Sequence, residues 1–145
     1  MTSRPEDLQN THRDFHWRGI RAGAGISLLL TLVLGLPLMI ALGSVWWMAW
    51  TGVIGIFTGG LVAGRLAKTN EPLNGAMVAL IYFSIIAIVY LVGQATELLP
   101  DPLPGLPQDD STFFFVWPLA QIVAGTVGSL VGGLRRDART EGKSL

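Results

Sequence analysis

Few residues of this chain are of a type that could do chemistry, and the best spaced of them are two histidines near its start. His12 and His16 lie four residues apart, so on a helix they would share one face. With Glu6 or Asp14 they could contribute to a metal site, but zinc needs roughly three or four ligands in a fixed geometry. This pair lacks such a set. We expect both histidines to be solvated at a membrane interface, and we predict no metal.

Cysteine chemistry and the common cofactor motifs are missing from the sequence. The chain contains no cysteine, which excludes disulfides, thiolate nucleophiles and iron–sulfur clusters. Asp109 and Asp110 are adjacent in a proline-rich segment, but two carboxylates fall short of the roughly six to eight oxygens of a calcium site. Walker, dinucleotide-binding and zincin motifs do not occur. The sequence therefore predicts no cofactor.

Asp, Glu, Lys, Arg and His are absent from three long stretches of the chain, residues 22–64, 74–96 and 113–134. Catalysis or ion-coupled transport inside a membrane usually requires an ionisable group there. The pattern argues against a proton relay, an ion-coupled carrier of the small multidrug type and an intramembrane protease. We therefore predict that the protein is not an enzyme and has no catalytic residues.

The most unusual polar residue in these stretches is Gln121. Its amide needs a hydrogen-bonding partner in lipid, so we expect it to face another helix. Alternatively, Gln121 lines a small pore or ligand cavity together with Thr126 and Ser129. The residues themselves leave both interpretations open.

Small residues at a spacing of four form stripes in two of the apolar stretches. In the second stretch, Gly55, Gly59 and Ala63 share one helix face, and Gly60 and Gly64 share the neighbouring face. Such stripes let two helix backbones approach closely in lipid, where the hydrophobic drive between helices is lost. We predict that they pack helices within one chain or against a second protomer. The predicted helix-packing residues are Gly52, Gly55, Gly59, Gly60, Ala63, Gly64, Gly125, Gly128, Ser129, Gly132 and Gly133.

Four transmembrane helices are needed to position these residues. Half of the chain is hydrophobic and 14% is charged, against about 25% charged in a typical soluble domain. We predict spans at about 22–45, 47–67, 74–96 and 113–134, between a leader at 1–21 and a tail at 135–145. The predicted fold is an all-α integral membrane four-helix bundle. Tryptophans near the span ends should anchor them at the bilayer interfaces: Trp17, Trp46, Trp47, Trp50 and Trp117.

The basic residues predict the orientation of the spans. All ten Lys and Arg residues precede the first span, lie between the second and third, or follow the fourth. Because Lys and Arg resist transfer across the bilayer, we expect these parts and both termini to be cytoplasmic. We predict a multi-pass protein of the prokaryotic cytoplasmic (inner) membrane, with the lipid bilayer as its main partner. Basic patches with interleaved aromatic residues are missing, so we predict no nucleic-acid binding.

A short repeat relates the two halves of the chain. Gly59–Gly64 (GGLVAG) closely matches Gly128–Gly133 (GSLVGG), and Arg18-Gly19 and Asn74-Gly75 open the other two spans in a loosely similar way. The repeat predicts two helical hairpins of the same orientation, related by an axis along the membrane normal. Such an arrangement would bring the second and fourth spans together at the centre.

The glycine-rich segments also carry a family resemblance. The run at 59–68 (GGLVAGRLAK), Asn74-Gly75-Ala76 at the third span and the spaced glycines Gly128, Gly132 and Gly133 resemble the YrzE-like family of small, uncharacterised four-helix prokaryotic membrane proteins. The resemblance covers most of the chain, although the leader and the proline-rich loop are longer than in that pattern. It implies a fold and no catalytic residues.

The functional hypothesis follows from the small-residue stripes and the lack of ionisable groups in the spans. We expect a structural or accessory membrane protein that packs through its glycine-rich helices with itself, as a homo-oligomer, or with a larger membrane complex. The alternative is a minimal transporter or channel formed as a homo-oligomer.

Overall fold

Four long helices make up the bundle. The computed structural model describes residues 15–67, 70–99 and 111–141, without the side chains of 111–114 and 137–141. Within these ranges the helices are α1 (Trp17–Leu42), α2 (Val45–Leu66), α3 (Glu71–Ala95) and α4 (Ser111–Glu141). Each contains a segment long and apolar enough to cross a membrane, which in α4 is Phe115–Arg136. The predicted all-α four-helix membrane bundle is confirmed.

The outer surface of the bundle consists largely of big apolar side chains. Ile40 is 71% exposed, Leu119 63% and Ile88 60%. In water such a surface would mark a binding site or an aggregation hazard, whereas in a bilayer it contacts lipid chains. The protein is therefore a multi-pass membrane protein.

Helix α2 is the centre of the bundle because it packs against all three other helices. It runs antiparallel to α1 and parallel to α4, and α3 fills the angle between α2 and α4 while also contacting α1. One small apolar cluster joins α1, α2 and α3 through Ile20, Ala63 and Val78. Because so many of the buried residues are small, the helices are held by close backbone approach more than by large interlocking side chains.

Helices α1, α3 and α4 extend beyond their predicted spans at the basic end of the bundle, whereas α2 ends at Leu66, within its span. Helix α1 begins at Trp17 instead of near residue 22, and α4 continues to Glu141, so most of the predicted tail is helical. Apolar composition marks the depth of the bilayer, whereas a helix continues until its backbone is interrupted. At the opposite end, α1 stops at Leu42 instead of Val45 because Gly43 adopts the left-handed conformation with φ of 62°. The rest of the leader (1–14) and residues 142–145 lie outside the described residues.

Helix α1 is irregular at residues Thr31–Gly35, which form a π-helical segment just before Pro37. Within it the Leu36 N–H donates to the carbonyl of Thr31, five residues back. A proline has no N–H for the carbonyl four residues before it, and its ring crowds that carbonyl. The disturbance next to Pro37 takes the form of a π-turn, a known way to absorb an irregularity inside a helix.

Candidate functional site

The closest approach between helices is the crossing of α2 and α4. A Cβ added to Gly60 would collide with the carbonyl oxygen of Gly125, and one added to Gly64 would collide with the carbonyl oxygen of Ser129. Side chains larger than hydrogen are therefore excluded at these two positions, and the two backbones are in direct contact. At this distance Cα–H groups can donate weak hydrogen bonds to facing carbonyls, which recur at helix interfaces.

Glycines of α4 contact carbonyl oxygens of α2 in the same way as glycines of α2 contact carbonyl oxygens of α4. A Cβ on Gly128 would meet the carbonyl oxygen of Phe57, and one on Gly132 would meet that of Leu61. Gly128 and Gly132 of α4 thus play the roles that Gly60 and Gly64 play in α2. The crossing has a local two-fold symmetry, and spans two and four meet at the centre of the bundle.

This symmetry corrects the register of the internal repeat. The sequence match aligns Gly60 with Ser129, whereas the contacts make Gly60 equivalent to Gly128, one residue earlier. Because glycines are adjacent at 59–60 and at 132–133, the sequence is compatible with both alignments, Gly60 with Ser129 and Gly60 with Gly128. The geometry selects the register in which the glycines face the partner helix.

The other glycine face of α2 packs against α1. Gly59 and Gly23 approach each other reciprocally, since a Cβ on either would collide with the carbonyl oxygen of the other. A Cβ on Gly55 would lie 2.8 Å from the carbonyl oxygen of Ser27. Ala63 is fully buried, and its carbonyl oxygen lies 3.2 Å from the Cβ position of Gly19. The predicted face of Gly55, Gly59 and Ala63 is therefore the α1-facing side of α2.

Helix α1 carries a corresponding stripe that is not among the predicted packing residues. Gly19, Gly23, Ser27, Thr31 and Gly35 follow one another at a spacing of four, and all five are buried. The signal that identified the stripes in spans two and four is equally present here.

Helix α3 packs against α4 through a second reciprocal glycine pair, Gly75 and Gly125. A Cβ on Gly75 would collide with the carbonyl oxygen of Gly125, and a Cβ on Gly125 would lie 2.5 Å from the carbonyl oxygen of Gly75. One turn further toward the basic end, the Ser129 hydroxyl donates to the carbonyl oxygen of Glu71. Gly133 leaves room for the Glu71 side chain, whose Cγ lies 2.7 Å from the Gly133 Cβ position. The face of Gly125, Ser129 and Gly133 is thus the α3-facing side of α4.

An ion pair closes this contact at the membrane surface. The Arg136 guanidinium donates from Nη2 to Glu71 Oε1 at 2.9 Å, and both side chains are about three-quarters buried. The contact was not predicted, because the two residues lie on different helices. Their opposite charges, both at the basic end of the bundle, were the feature of the sequence that could have indicated the pair.

A chain of hydroxyl groups connects three helices in the interior. Ser27 Oγ lies within hydrogen-bonding distance of the carbonyl oxygens of Gly23 and Gly55, at 2.9 and 3.1 Å. Thr31 Oγ1 donates to the carbonyl oxygen of Ser27 at 2.9 Å. Because the Thr31 proton is used there, the Tyr82 hydroxyl is the donor in its 3.0 Å bond to Thr31 Oγ1. Tyr82 of α3 thereby becomes part of the α1–α2 contact, a role that the sequence did not indicate.

Gln121 of α4 faces this polar chain. Its side chain is 6% exposed, and its Nε2 lies 3.5 Å from the Cβ position of Gly52, which is 2.7 Å from the Tyr82 hydroxyl oxygen. Gln121 Oε1 accepts no hydrogen bond from any described residue. Thr126, the neighbour that would extend a polar path, donates instead to the carbonyl of Ile122 in its own helix. Gln121 thus lies at the contact of α4 with α2 and α3.

The predicted tryptophan anchors fall into two groups. Trp46 and Trp50 of α2 both pack edge-on against Trp117 of α4, with ring centroids 5.5 and 5.0 Å apart. They join α2 to α4 at the end opposite the basic residues. Trp17 and Trp47 are about half exposed, as residues that contact the bilayer interface would be.

The described histidine, His16, makes its hydrogen bond to another helix through its main chain, not through its imidazole. The main-chain N–H of His16 donates to Asn74 Oδ1 at 3.1 Å, and Asn74 is itself buried. His12, Glu6 and Asp14 lie outside the described residues. Among the described residues, no three His, Asp or Glu side chains are grouped so that they could hold a metal ion.

A family of known sequences matches this chain. A family model described as "Protein of unknown function (DUF3792)" matches residues 15–103, more than half of the chain. The match includes α1, α2 and α3, and α4 lies beyond it. No curated protein and no solved structure matches the chain.

Proposed function

Since the chain belongs to DUF3792, a family of proteins of unknown function, we propose its role from the structure: it is a structural or accessory component of a prokaryotic cytoplasmic membrane, without catalytic activity. It acts by rigid helix packing and associates with a second copy or with a larger membrane complex. Both termini lie in the cytoplasm.

The observation that carries this proposal is the crossing of α2 and α4. Four backbone contacts at Gly60, Gly64, Gly128 and Gly132 leave no space there for a side chain or a ligand. The buried hydroxyls of Ser27, Thr31 and Ser129 likewise donate to main-chain carbonyls. The interior polar groups thus serve helix packing, which is the main source of helix association in lipid.

The orientation rests on the basic end of the bundle. Arg18, Arg21, Arg65 and Arg135 are exposed there, and Arg136 lies beside them. Single cysteines at Thr69 and Gly105 test it cleanly, because the chain has no other cysteine. A membrane-impermeant maleimide added to intact cells should label position 105 and leave position 69 unlabelled until the cells are opened. The reverse pattern would overturn the topology.

Association is tested by purification in a mild detergent, followed by crosslinking and mass spectrometry. The proposal expects a defined complex that contains a second copy or a recurring partner. Gly128→Leu should disrupt the bundle and the complex, whereas Gly25→Leu, on an exposed helix position with nothing within 4 Å of the Cβ, should leave both intact. A protein that is monomeric and without partners at membrane concentrations would contradict the accessory role.

One observation favours the alternative of a minimal transporter or channel. Gln121 Oε1 is a buried acceptor without a donor among the described residues, and a bound water or polar solute would supply one. Reconstituted vesicles that release a small polar solute, with release lost in Gln121→Leu, would support this alternative. Vesicles that remain tight with the intact protein would leave the accessory role as the better proposal.

A further inference from the structure

Helix α3 covers only one side of the α2–α4 crossing. On that side Gly75 packs against Gly125, and Glu71 packs against Ser129 and Gly133. The two-fold symmetry of the crossing relates this side to the one bounded by Phe57 and Leu61 of α2 and Gly128 and Gly132 of α4. Helix α1 lies on another face of α2 and has no contact with α4 in the described part of the chain. No helix in the described part of the chain covers this second side, which therefore forms a surface groove between α2 and α4.

The walls of this groove are apolar along the membrane interior except for the Thr58 hydroxyl, which donates to the Ile54 carbonyl of its own helix. Ile54, Thr58 and Leu61 follow one another at helical spacing on α2, and Ile54 is 59% exposed. Val127 and Val131 form the facing wall on α4, where Val127 is 44% exposed. Gly128 and Gly132 lie beneath the groove, buried against the backbone of Phe57 and Leu61. We call this surface, from Ile54 and Val127 to the basic end, the α2–α4 groove.

Two arginines lie at the basic end of the α2–α4 groove, one on each wall. Arg65 follows Leu61 by one turn, and its main-chain nitrogen lies 3.0 Å from the Cβ position of Gly132. Arg135 follows Val131 by one turn, and both arginines are exposed. No described carboxylate forms an ion pair with either of them, whereas Arg136 is held on the α3 side by Glu71.

We propose that the α2–α4 groove binds an anionic phospholipid of the leaflet at the basic end. Its acyl chains lie along Ile54, Leu61 and Val127, and its phosphate is bound by Arg65 and Arg135. Clustered basic residues at the membrane surface attract anionic lipid, and guanidinium groups match phosphate oxygens in charge and geometry. The lipid phosphate supplies on this side the negative charge that Glu71 supplies on the other.

Charge favours lipid over a second copy of the chain as the occupant. Copies inserted in the same orientation have their basic ends at the same depth. A two-fold dimer through this groove would bring the Arg65 and Arg135 pairs of both copies together at the membrane surface. Like charges in contact oppose such a dimer, whereas an anionic lipid neutralises the pair.

The proposal is independent of whether the protein is an accessory component, and it is tested by lipid titration. Native mass spectrometry of the full chain in neutral detergent, titrated with phosphatidylglycerol, gives the dissociation constant. Arg65→Gln with Arg135→Gln should weaken binding roughly 25-fold, about 5-fold for each charge. Arg18→Gln with Arg21→Gln removes the same charge from α1, outside the groove, and should change it less than about 3-fold.

Further variants separate the possible sources of binding. Arg65→Lys with Arg135→Lys should keep most of the affinity for the lipid. Thr58→Trp should fill the groove and abolish lipid binding. Inorganic phosphate should not compete with the lipid. Equal loss in the Arg18/Arg21 control, equal binding of phosphatidylcholine, or unchanged binding in Thr58→Trp would overturn the proposal. A dimer that forms without lipid and is lost in Thr58→Trp would assign the groove to a second copy instead.

Discussion

Replacing Gly60 by alanine tests the packing of the α2–α4 crossing most directly. The new methyl group would collide with the carbonyl oxygen of Gly125 and would lie 3.1 Å from that residue's carbonyl carbon and Cα. Ordinary contact of a methyl group starts at about 3.4 Å. Because both obstacles are helix backbone, neither can move alone, and the two helices must separate.

The cost of this separation can be estimated. Overpacking a well-packed core typically costs about 1–3 kcal/mol. The upper half of that range applies because moving the helices also weakens the reciprocal contacts at Gly64, Gly128 and Gly132. Alanine stabilises a helix by up to about 1 kcal/mol relative to glycine, which would offset part of this cost. Gly25→Ala has the same helix gain without any collision, since nothing lies within 4 Å of its Cβ, so it is the reference variant. We expect Gly60→Ala to be about 2–3 kcal/mol less stable than Gly25→Ala.

The assay is reversible unfolding in mixed micelles, followed by the fluorescence of the Trp46, Trp50 and Trp117 cluster, which joins the same two helices. Gly128→Ala is an internal replicate, since the symmetry makes it equivalent to Gly60→Ala. The double variant should lose less than the sum of the two, because helices already separated accept the second methyl more easily. If Gly60→Ala were as stable as Gly25→Ala, the close backbone contact would be refuted.

Three further predictions concern the polar contacts. Tyr82→Phe should lower the free energy of unfolding by about 1 kcal/mol, because Thr31 loses the Tyr82 donor while its own bond to Ser27 remains. Thermal melting of the variant and the unchanged protein measures this difference. Glu71→Gln should cost less than about 1 kcal/mol in low salt and less still in high salt, because its ion pair with Arg136 is partly solvated. Gln121→Leu should leave stability unchanged or raise it, since it removes an acceptor without a donor among the described residues, and unfolding measurements will show the direction.

Each of these predictions has a matched control. Tyr90→Phe lies on the same helix as Tyr82 and should have no effect, and equal losses at both positions would argue against the bond to Thr31. Exchanging the charges, Glu71→Arg with Arg136→Glu, should recover most of the loss, and failure to do so would mean that Glu71 acts through its backbone alone. A loss of more than about 2 kcal/mol in Gln121→Leu would reveal a hydrogen bond that the geometry does not account for.

Sequence alone predicts the fold because apolar length and basic flanks are properties of single helices. The stripes at Gly55, Gly59, Gly60 and Gly64 could likewise be located, because spacing determines which residues share a face. What spacing does not determine is the rotation of one helix about another. The bonds of Tyr82 to Thr31 and of Arg136 to Glu71 depend on that rotation, as does the one-residue shift in the internal repeat.

The π-turn of α1 at Thr31–Gly35 also has an evolutionary meaning. A π-turn has i→i+5 hydrogen bonds, so it holds one residue more than an α-helical turn and accommodates an extra residue locally. Gly23 and Ser27 on one side of the turn and Gly35 on the other all contact α2. Homologues with a regular first helix should therefore align with a single-residue gap at this turn, and those that lack the gap should retain the proline.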